Sequence, residues 1–159
     1  VAKNQKMFEC LKKQFQDRDI SKTYNTFVYG EMKNDSGVID RPIGRSKNDF
    51  RKWTAERGAR GEMREATTQY KVLKRGGGFS FLEVRPKTGR THQIRVHLKA
   101  IGYPVVGDSL YAGKRETALG FRRLALHASS IIFLNLKGKK TKVEAPLPED
   151  FVSALSQIK

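Results

Sequence analysis

The 159-residue sequence predicts an α+β domain with a mixed, mainly antiparallel sheet and a few packed helices. Its strand-like segments are rich in aromatic and β-branched residues and are joined mostly by short turns and loops. Two of these segments flank a glycine-rich turn at residues 75–78, which is typical of an antiparallel hairpin. Helical spacing of apolar residues occurs near both ends and once in the middle. A chain of this length is enough for a single domain with its own core.

Residues 4–18 are the first predicted helix. Phe8, Leu11 and Phe15 fall on one helical face, and Asn4 is a suitable N-cap. Basic residues occupy the other side of this helix, where we expect them to be solvated: Lys12, Lys13 and Arg18.

The next segments predict a strand, a turn and a long basic loop. Residues 22–32 read as a strand, residues 34–37 as a turn and residues 41–45 as a short extended piece. Residues 45–64 contain few apolar side chains and two glycines, which predicts a long exposed loop around Trp53. The basic residues of this loop are Lys47, Arg51, Lys52, Arg57, Arg60 and Arg64.

A hairpin is followed by the central helix. Residues 66–74 and 79–85 are the two predicted strands, and proline and glycine end the second strand at residues 86–89. Because apolar residues then recur at helical spacing, a helix follows, with Thr91 as its candidate N-cap. The apolar stripe consists of Ile94, Leu98 and Ile101, and the polar face carries His92, Arg95 and Lys99.

The last third of the chain predicts strands and a terminal helix. After a polar loop at residues 114–121, residues 124–127 and 131–136 read as two strands or one interrupted strand. A basic turn at residues 137–142 precedes the final helix, which begins near Pro148. The apolar residues of that helix are Phe151, Leu155 and Ile158.

The net charge indicates a polyanionic partner. Thirty-two basic residues against sixteen acidic residues give +16, which favours nucleic acid first and an anionic membrane surface second. No apolar run is long enough to span a bilayer, so we expect no membrane insertion. The single cysteine, Cys10, cannot form an internal disulfide and suits the reducing cytoplasm. A cytoplasmic monomer is expected.

Several common chemistries have no supporting pattern in the sequence. The three histidines, His92, His97 and His127, have no cysteine or carboxylate at metal-ligand spacing. No serine lies in a glycine elbow, and Cys10 is isolated. The glycines at residues 76–78 lack the partner residues of a phosphate-binding loop. We therefore expect neither a metal site nor a serine or cysteine nucleophile.

Residues 88–98, TGRTHQIRVHL, are followed at residues 102–113 by GYPVVGDSLYAG. This ordered pair of motifs closely resembles the RNA pseudouridine synthase family, whose members act on large-subunit ribosomal RNA and some transfer RNAs. The Lys22-Thr23-Tyr24 segment with Gly30 resembles the tyrosine motif of the family, and residues 123–128 resemble a later strand. The resemblance covers nearly the whole chain and implies the fold of that catalytic domain.

The resemblance also indicates a missing nucleophile. In this family the catalytic aspartate belongs to a His-Arg-Leu-Asp motif a few residues before a Val-Ala-Lys segment, and residues 1–4 resemble that segment. The sequence therefore resembles the later part of a catalytic domain. The start of that domain, and any N-terminal RNA-binding domain, are expected to lie outside the 159 residues. On this basis we expect the chain alone to be inactive.

The resemblance assigns roles to several residues and implies that neither a metal nor a cofactor takes part. Tyr24 would pack on the target base and accept a proton from it, unless it is an ordinary strand aromatic. Arg95 would form an ion pair with the aspartate and keep the pKa of that carboxyl low, and Arg90 is the rival for this role. Asp108 would hold a turn rather than act as the nucleophile.

The remaining candidates are expected to bind RNA. Basic side chains near an aromatic side chain can hold RNA through phosphate contacts and base stacking. Alternatively, Trp53 anchors its loop, His92 and Gln93 fix a turn, and the individual lysines and arginines are merely solvated. The candidates are Lys22, Arg85, Lys87, His92, Gln93, Lys99, Arg51, Lys52 and Trp53.

The sequence therefore predicts an RNA pseudouridine synthase that acts on large-subunit ribosomal RNA, with transfer RNA as the other candidate substrate. A non-catalytic RNA-binding module or RNA chaperone is the alternative. A ribosomal structural protein would explain the charge but gives no reason for the motif at residues 88–98.

Overall fold

A computed structural model describes residues 1–56 and 59–159, so Arg57 of the predicted basic loop lies outside the described residues. The described part contains three helices and nine strands. The helices are α1 (Gln5–Asp17), α2 (Gln93–Ala100) and α3 (Glu149–Gln157). The strands are β1 (Ser21–Tyr29), β2 (Ser36–Asp40), β3 (Ile43–Arg45), β4 (Trp53–Thr54), β5 (Arg60–Arg64), β6 (Thr67–Gly76), β7 (Phe79–Pro86), β8 (Leu126–Leu134) and β9 (Lys140–Glu144).

Six strands form one sheet in the order β2-β6-β7-β1-β8-β9, and each described pair is antiparallel. The predicted hairpin is β6–β7, and Gly76 pairs with Phe79 across its turn. Gly77 and Gly78 both have positive φ angles in that turn, a conformation that glycine adopts without steric cost. The predicted α+β class with a mainly antiparallel sheet is therefore confirmed.

The main core lies where α2 and α3 pack against the central strands. Phe27 of β1 is fully buried, and its ring lies 4.8 Å from that of Phe81 and 5.6 Å from that of Phe151 on α3. Ile94 and Leu98 of α2 are buried in the same cluster, as their helical spacing predicts. This packing fixes α2, and hence the residues around its N-terminus, relative to β1 and β7.

The prediction of a long exposed loop at residues 45–64 is wrong in part. Strands β3, β4 and β5 form a second sheet in the order β4-β3-β5, with Gly44 opposite Thr54. Ile43 is buried in a small second core that also contains Val96 of α2 and Tyr111. The strands are two to five residues long, so their pairing depends on distant partners rather than on a local sequence pattern.

Helix α1 begins where Asn4 predicts, because the Asn4 side chain accepts a hydrogen bond from the Met7 backbone at 2.9 Å. However, Phe8 and Phe15 remain 53% and 52% exposed, so the predicted apolar stripe is not buried. The buried residue is Gln14, whose amide donates to the Leu134 carbonyl at 2.8 Å and accepts from the Leu134 N–H at 2.7 Å. A polar bridge therefore fastens this helix to β8.

The C-terminal part follows the prediction more closely. Strand β8 is continuous, which resolves the predicted choice between one strand and two. Phe151 and Ile158 are fully buried, although Ile158 lies just beyond the end of α3. Of the helices in residues 1–56 and 59–159, none combines the length and the hydropathy needed to cross a membrane.

Candidate active site

A cleft of about 250 Å³ lies between β1, the end of β7 and the N-terminus of α2. Its walls come from segments far apart in sequence, and six of the predicted site residues meet there. They are Lys22, Tyr24, Arg90, His92, Gln93 and Arg95. The pairing of β1 with β7 and the packing of α2 against these strands bring the motifs together.

Tyr24 lines the cleft. It is half-buried on β1, opposite Val84 of β7 and Ala128 of β8. Ile94 and Leu126 also line the cleft and give it an apolar component. Burial raises the pKa of the Tyr24 phenol above its ordinary value, so the phenol is protonated at neutral pH. The site therefore presents a neutral aromatic ring with a hydroxyl group.

Arg95 forms a bidentate ion pair with Asp108. Its Nε and Nη2 atoms each lie 2.7 Å from a carboxylate oxygen, and the Asp108 side chain is completely buried. The carboxylate also accepts hydrogen bonds from the backbone N–H groups of Leu110 and Tyr111. The hydrogen bonds that Arg95 donates to Asp108 raise the pKa of Arg95 above its ordinary value. The pair fixes the guanidinium group at the edge of the cleft.

Asp108 holds a turn, as the sequence motif suggested. Gly107, which precedes it, has a φ of 71°, and a side chain there would overlap the carbonyl oxygen of Arg123. The carboxylate accepts four hydrogen bonds, three on Oδ1 and one on Oδ2, its side chain is completely buried, and Asp108 does not line the cleft. This environment is unsuited to a nucleophile.

Gln93 stabilises the turn that shapes the cleft. Its side chain is 4% exposed, and its amide oxygen accepts from the Thr88 hydroxyl and the Arg90 backbone N–H. The amide nitrogen donates to the Thr67 carbonyl and the Thr68 hydroxyl, both at 3.0 Å. Because these four bonds use its hydrogen-bonding capacity, they favour the turn-fixing alternative over RNA binding by Gln93.

Arg90 lies beside this turn and lines the same cleft. Its Nε atom donates to the Glu65 carbonyl oxygen at 3.0 Å. Within the described residues no carboxylate pairs with Arg90, whereas the charge of Arg95 is balanced by Asp108. Arg90 therefore contributes uncompensated positive charge to the cleft, as does Lys22, which also lines it and makes no ion pair within the described residues.

His92 occupies the position before α2 in the left-handed conformation, with φ 54° and ψ 19°. The predicted N-cap, Thr91, is therefore wrong, and His92 makes no side-chain cap bond either. The Nδ1 atom of His92 lies 2.9 Å from the Tyr111 hydroxyl, which accepts a hydrogen bond from the Trp53 backbone N–H at 2.9 Å. Burial, followed by the nearby Arg95 charge, lowers the pKa of His92.

His97, on α2, has a structural role. His97 is fully buried, and its two ring nitrogens lie 2.8 Å from the Thr68 hydroxyl and 2.9 Å from the Arg41 carbonyl oxygen. Burial lowers the pKa of His97, which favours the neutral ring.

The predicted phosphate-binding residues fall on different surfaces. Lys22 lines the Tyr24 cleft and also an adjoining cleft of about 570 Å³, where it is joined by Arg85 and Lys87. Burial lowers the pKa of Lys22. Because Val84 pairs with Tyr24, Arg85 points to the opposite face of the sheet.

Lys99, on the polar face predicted for α2, lies apart from Arg95 and His92. It pairs with Glu56 at 2.7 Å and lines a separate cleft of about 590 Å³. The three side chains therefore do not form one basic surface.

The predicted RNA-binding loop has less free charge than its sequence suggests. Asp49 pairs with Arg51 at 2.9 Å and with Lys52 at 3.7 Å, and hydrogen bonds from Arg51 lower the pKa of Asp49 to about 2. Trp53 is half-buried against the second core, as the anchoring alternative predicts. Within this segment it is Phe50 that is exposed, at 81%. The sequence does not mark Phe50 as a binding residue, because a single phenylalanine in a charged segment carries no pattern.

The comparisons with known proteins agree on one family. The family model described as RNA pseudouridylate synthase matches residues 1–100. The uncharacterized RNA pseudouridine synthase YlyB of Bacillus subtilis is 39% identical over 160 residues, which cover 100% of this chain and 51% of YlyB. Ribosomal large subunit pseudouridine synthase D of Pseudomonas aeruginosa is 37% identical over 174 residues, covering 100% of this chain and 52% of that protein.

A solved structure agrees with these sequences. Human RNA pseudouridylate synthase domain containing 1 superposes with a TM-score of 0.85 at 29% identity, over 93% of this chain and 63% of the human chain. This chain spans about half the length of the curated relatives it matches. On the family match over residues 1–100, together with this agreement of fold, the chain belongs to the RNA pseudouridylate synthase family.

Proposed function

We propose that the whole protein converts uridine to pseudouridine in RNA and that its substrate is large-subunit ribosomal RNA. The observation that carries this proposal is the convergence of Tyr24, Arg90 and Arg95 on one cleft. The net charge of +16 supports a polyanionic substrate. The ribosomal choice rests on the resemblance and on the printed name of the Pseudomonas aeruginosa relative.

The proposed reaction is an isomerisation and needs no co-reactant. The bond between ribose C1′ and uracil N1 breaks, the base turns, and C1′ bonds to C5. The proton on C5 is lost and N1 gains a proton, so the atoms balance. An aspartate in the segment preceding Val1 is the proposed nucleophile. A base in folded RNA must leave its stack to reach such a cleft, which explains the need for an aromatic surface.

The two arginines have complementary proposed roles. Asp108 binds Nε and Nη2 of Arg95, and no described residue accepts a hydrogen bond from Nη1. Arg95 can thus present Nη1 to the catalytic carboxylate without reorganising. Because the Arg95–Asp108 pair is neutral overall, Arg90, together with Lys22 in the same cleft, supplies the net positive charge that keeps the pKa of that carboxyl low.

Tyr24 is proposed to pack against the extruded uracil. Its ring lines the cleft, and its raised pKa disfavours the phenolate that would accept a proton in the resting enzyme. Stacking is therefore the part of its predicted role that the cleft supports directly. Base–aromatic stacking contributes about 1–3 kcal/mol, which offsets part of the unstacking free energy.

The test is tritium release from RNA labelled at uridine C5, with ribosomal and transfer RNA transcripts assayed in parallel. We expect release by the full-length protein on the ribosomal transcript, none by the 159-residue chain alone, and a large loss with Arg95→Ala. If the full-length protein binds RNA tightly but releases no tritium from either transcript, the enzyme proposal fails and the RNA-binding module replaces it. Release from the 159-residue chain alone would mean that a carboxylate within it is the nucleophile.

A further inference from the structure

The Tyr111 hydroxyl connects the small sheet to the active-site cleft. It lies 2.9 Å from the Trp53 backbone nitrogen and 2.9 Å from Nδ1 of His92. Tyr111 itself is 7% exposed, and the Arg95 guanidinium lies over its ring at 4.8 Å from the centroid. The hydroxyl is therefore held by two groups, and Arg95 packs on the ring that carries it.

The hydrogen-bond roles in this chain follow from the donors available. The Trp53 backbone N–H can only donate, so the Tyr111 oxygen accepts from it. The Tyr111 proton then needs an acceptor, and among the described residues the Nδ1 lone pair of His92 is the one within reach. If Nδ1 carried a proton instead, the hydroxyl proton of a buried tyrosine would have no partner. The arrangement thus selects a neutral His92 with its proton on Nε2.

The ring edge that carries Nε2 faces away from Tyr111. His92 lines the Tyr24 cleft, whereas Tyr111 does not. No described residue accepts a hydrogen bond from Nε2, so this donor is available to a ligand in the cleft. His92 has a left-handed backbone, which is uncommon for a residue other than glycine, and its ring is held by the contact with the Tyr111 hydroxyl.

We propose that Tyr111 is a positioning residue that fixes His92 as a neutral Nε2–H donor, and that His92 binds a carbonyl oxygen of the uracil base beside Tyr24. This inference rests on the proposed function for the identity of the ligand but not for the state of the histidine. A neutral donor suits a carbonyl oxygen, whereas a protonated imidazole would suit a phosphate.

The first experiment reads the ring state without RNA. In full-length protein with ¹⁵N-labelled histidine, long-range ¹H–¹⁵N spectra at pH 7.5 should show His92 neutral, with Nε2 protonated. Tyr111→Phe keeps the aromatic ring near Arg95 but removes the hydroxyl, so the signals should move toward a mixture of tautomers. Tyr29→Phe is the matched control, because it loses one hydroxyl bond to the Glu116 carbonyl and leaves His92 unchanged. A wild-type His92 protonated on Nδ1 overturns the proposal.

The second experiment identifies the acceptor. We expect His92→Ala and Tyr111→Phe to weaken RNA binding about three- to tenfold, the usual range for one neutral hydrogen bond. Replacing the target uridine by 2-thiouridine or by 4-thiouridine tests the two carbonyl oxygens of the base separately. One of the two replacements should weaken RNA binding by the wild-type protein, and the same replacement should cause no further loss of binding in His92→Ala. Equal thio effects in both proteins would exclude a base contact and leave the phosphate as the acceptor. If the tritium assay fails while the spectra are as expected, the proposed function is wrong and the positioning by Tyr111 stands.

Discussion

The carboxylate of Asp108 is completely buried, whereas its partner Arg95 retains 15% side-chain exposure and lines the cleft. Two parallel hydrogen bonds of 2.7 Å hold the guanidinium plane. This asymmetry separates two functions within one ion pair. The aspartate sets the position of the arginine, and the arginine is the member that can contact a ligand.

Removal of the charge from Asp108 should therefore destabilise the fold. Asp108→Asn leaves Arg95 without its counter-ion in a largely buried site, where breaking a pair costs about 3–5 kcal/mol. Denaturant unfolding would measure the change. The matched variant is Asp150→Asn, which breaks the more exposed pair with Arg123 and should cost under about 1 kcal/mol. Equal losses in the two variants would contradict the structural role of Asp108.

Two glycines with nearly equal φ angles provide a test of the turn before Asp108. Gly107 and Gly113 have φ angles of 71° and 69°, so alanine costs about 1–2 kcal/mol of backbone strain at either position. A side chain at Gly107 also overlaps the Arg123 carbonyl, whereas Gly113 has open space around it. We expect Gly107→Ala to lower the melting temperature clearly more than Gly113→Ala. Similar melting temperatures would mean that the turn can shift away from Arg123.

Phe50 and Trp53 should respond differently to truncation. Phe50 is 81% exposed beside the basic residues of its loop, so Phe50→Ala should weaken binding of single-stranded RNA with little change in stability. Trp53 packs on the second core, so Trp53→Ala should lower stability. Fluorescence anisotropy with a short RNA and thermal melting separate the two effects. Unchanged RNA affinity in Phe50→Ala would exclude a stacking role for this residue.

The salt dependence of RNA binding should distinguish Lys22 from Lys99. Lys22 makes no ion pair within the described residues and lines two adjoining clefts, whereas Lys99 is paired with Glu56. Each phosphate contact contributes about one unit to the slope of log affinity against log salt. Lys22→Ala should reduce the slope by about one, and Lys99→Ala should leave it unchanged. A smaller slope in Lys99→Ala with an unchanged slope in Lys22→Ala would mean that the RNA phosphates bind in the cleft lined by Lys99 instead.

Acid should destabilise the protein through His97. Burial lowers the folded-state pKa of His97 below the ordinary value of 6.5, so the unfolded chain binds the proton more readily. The stability contributed by the neutral ring is complete above pH 6.5 and is lost as the pH falls toward the folded-state pKa. Unfolding free energies between pH 7.5 and 5 should fall less steeply in His97→Gln. If the unfolding free energy of His97→Gln fell with pH as steeply as that of the wild type, protonation of His97 would be excluded as the cause of acid destabilisation.

The sequence predicted those features that depend on local pattern. Helix α2 and its buried Ile94 and Leu98 follow from spacing alone, and the β6–β7 hairpin follows from its glycines. The periodicity of α1 identified an apolar face but not what covers it, so the buried Gln14 was not foreseen.

Contacts between distant segments could not be read from local pattern. The Arg95–Asp108 pair joins a helix to a turn 13 residues later, and the His92–Tyr111 contact spans 19 residues. The motif resemblance brought Tyr24, Arg90 and Arg95 forward as candidates, and the fold then placed them in one cleft. Their catalytic roles remain predictions.

The two edges of the six-stranded sheet differ in their tendency to recruit another strand. Strand β9 carries Lys140 and Lys142, and lysine on an edge opposes pairing with a second chain. Strand β2 carries no lysine or arginine, and its Val38 is 61% exposed. Aggregation by edge-to-edge addition would therefore begin at β2, and a lysine in place of Val38 is the substitution that should keep the protein soluble at high concentration.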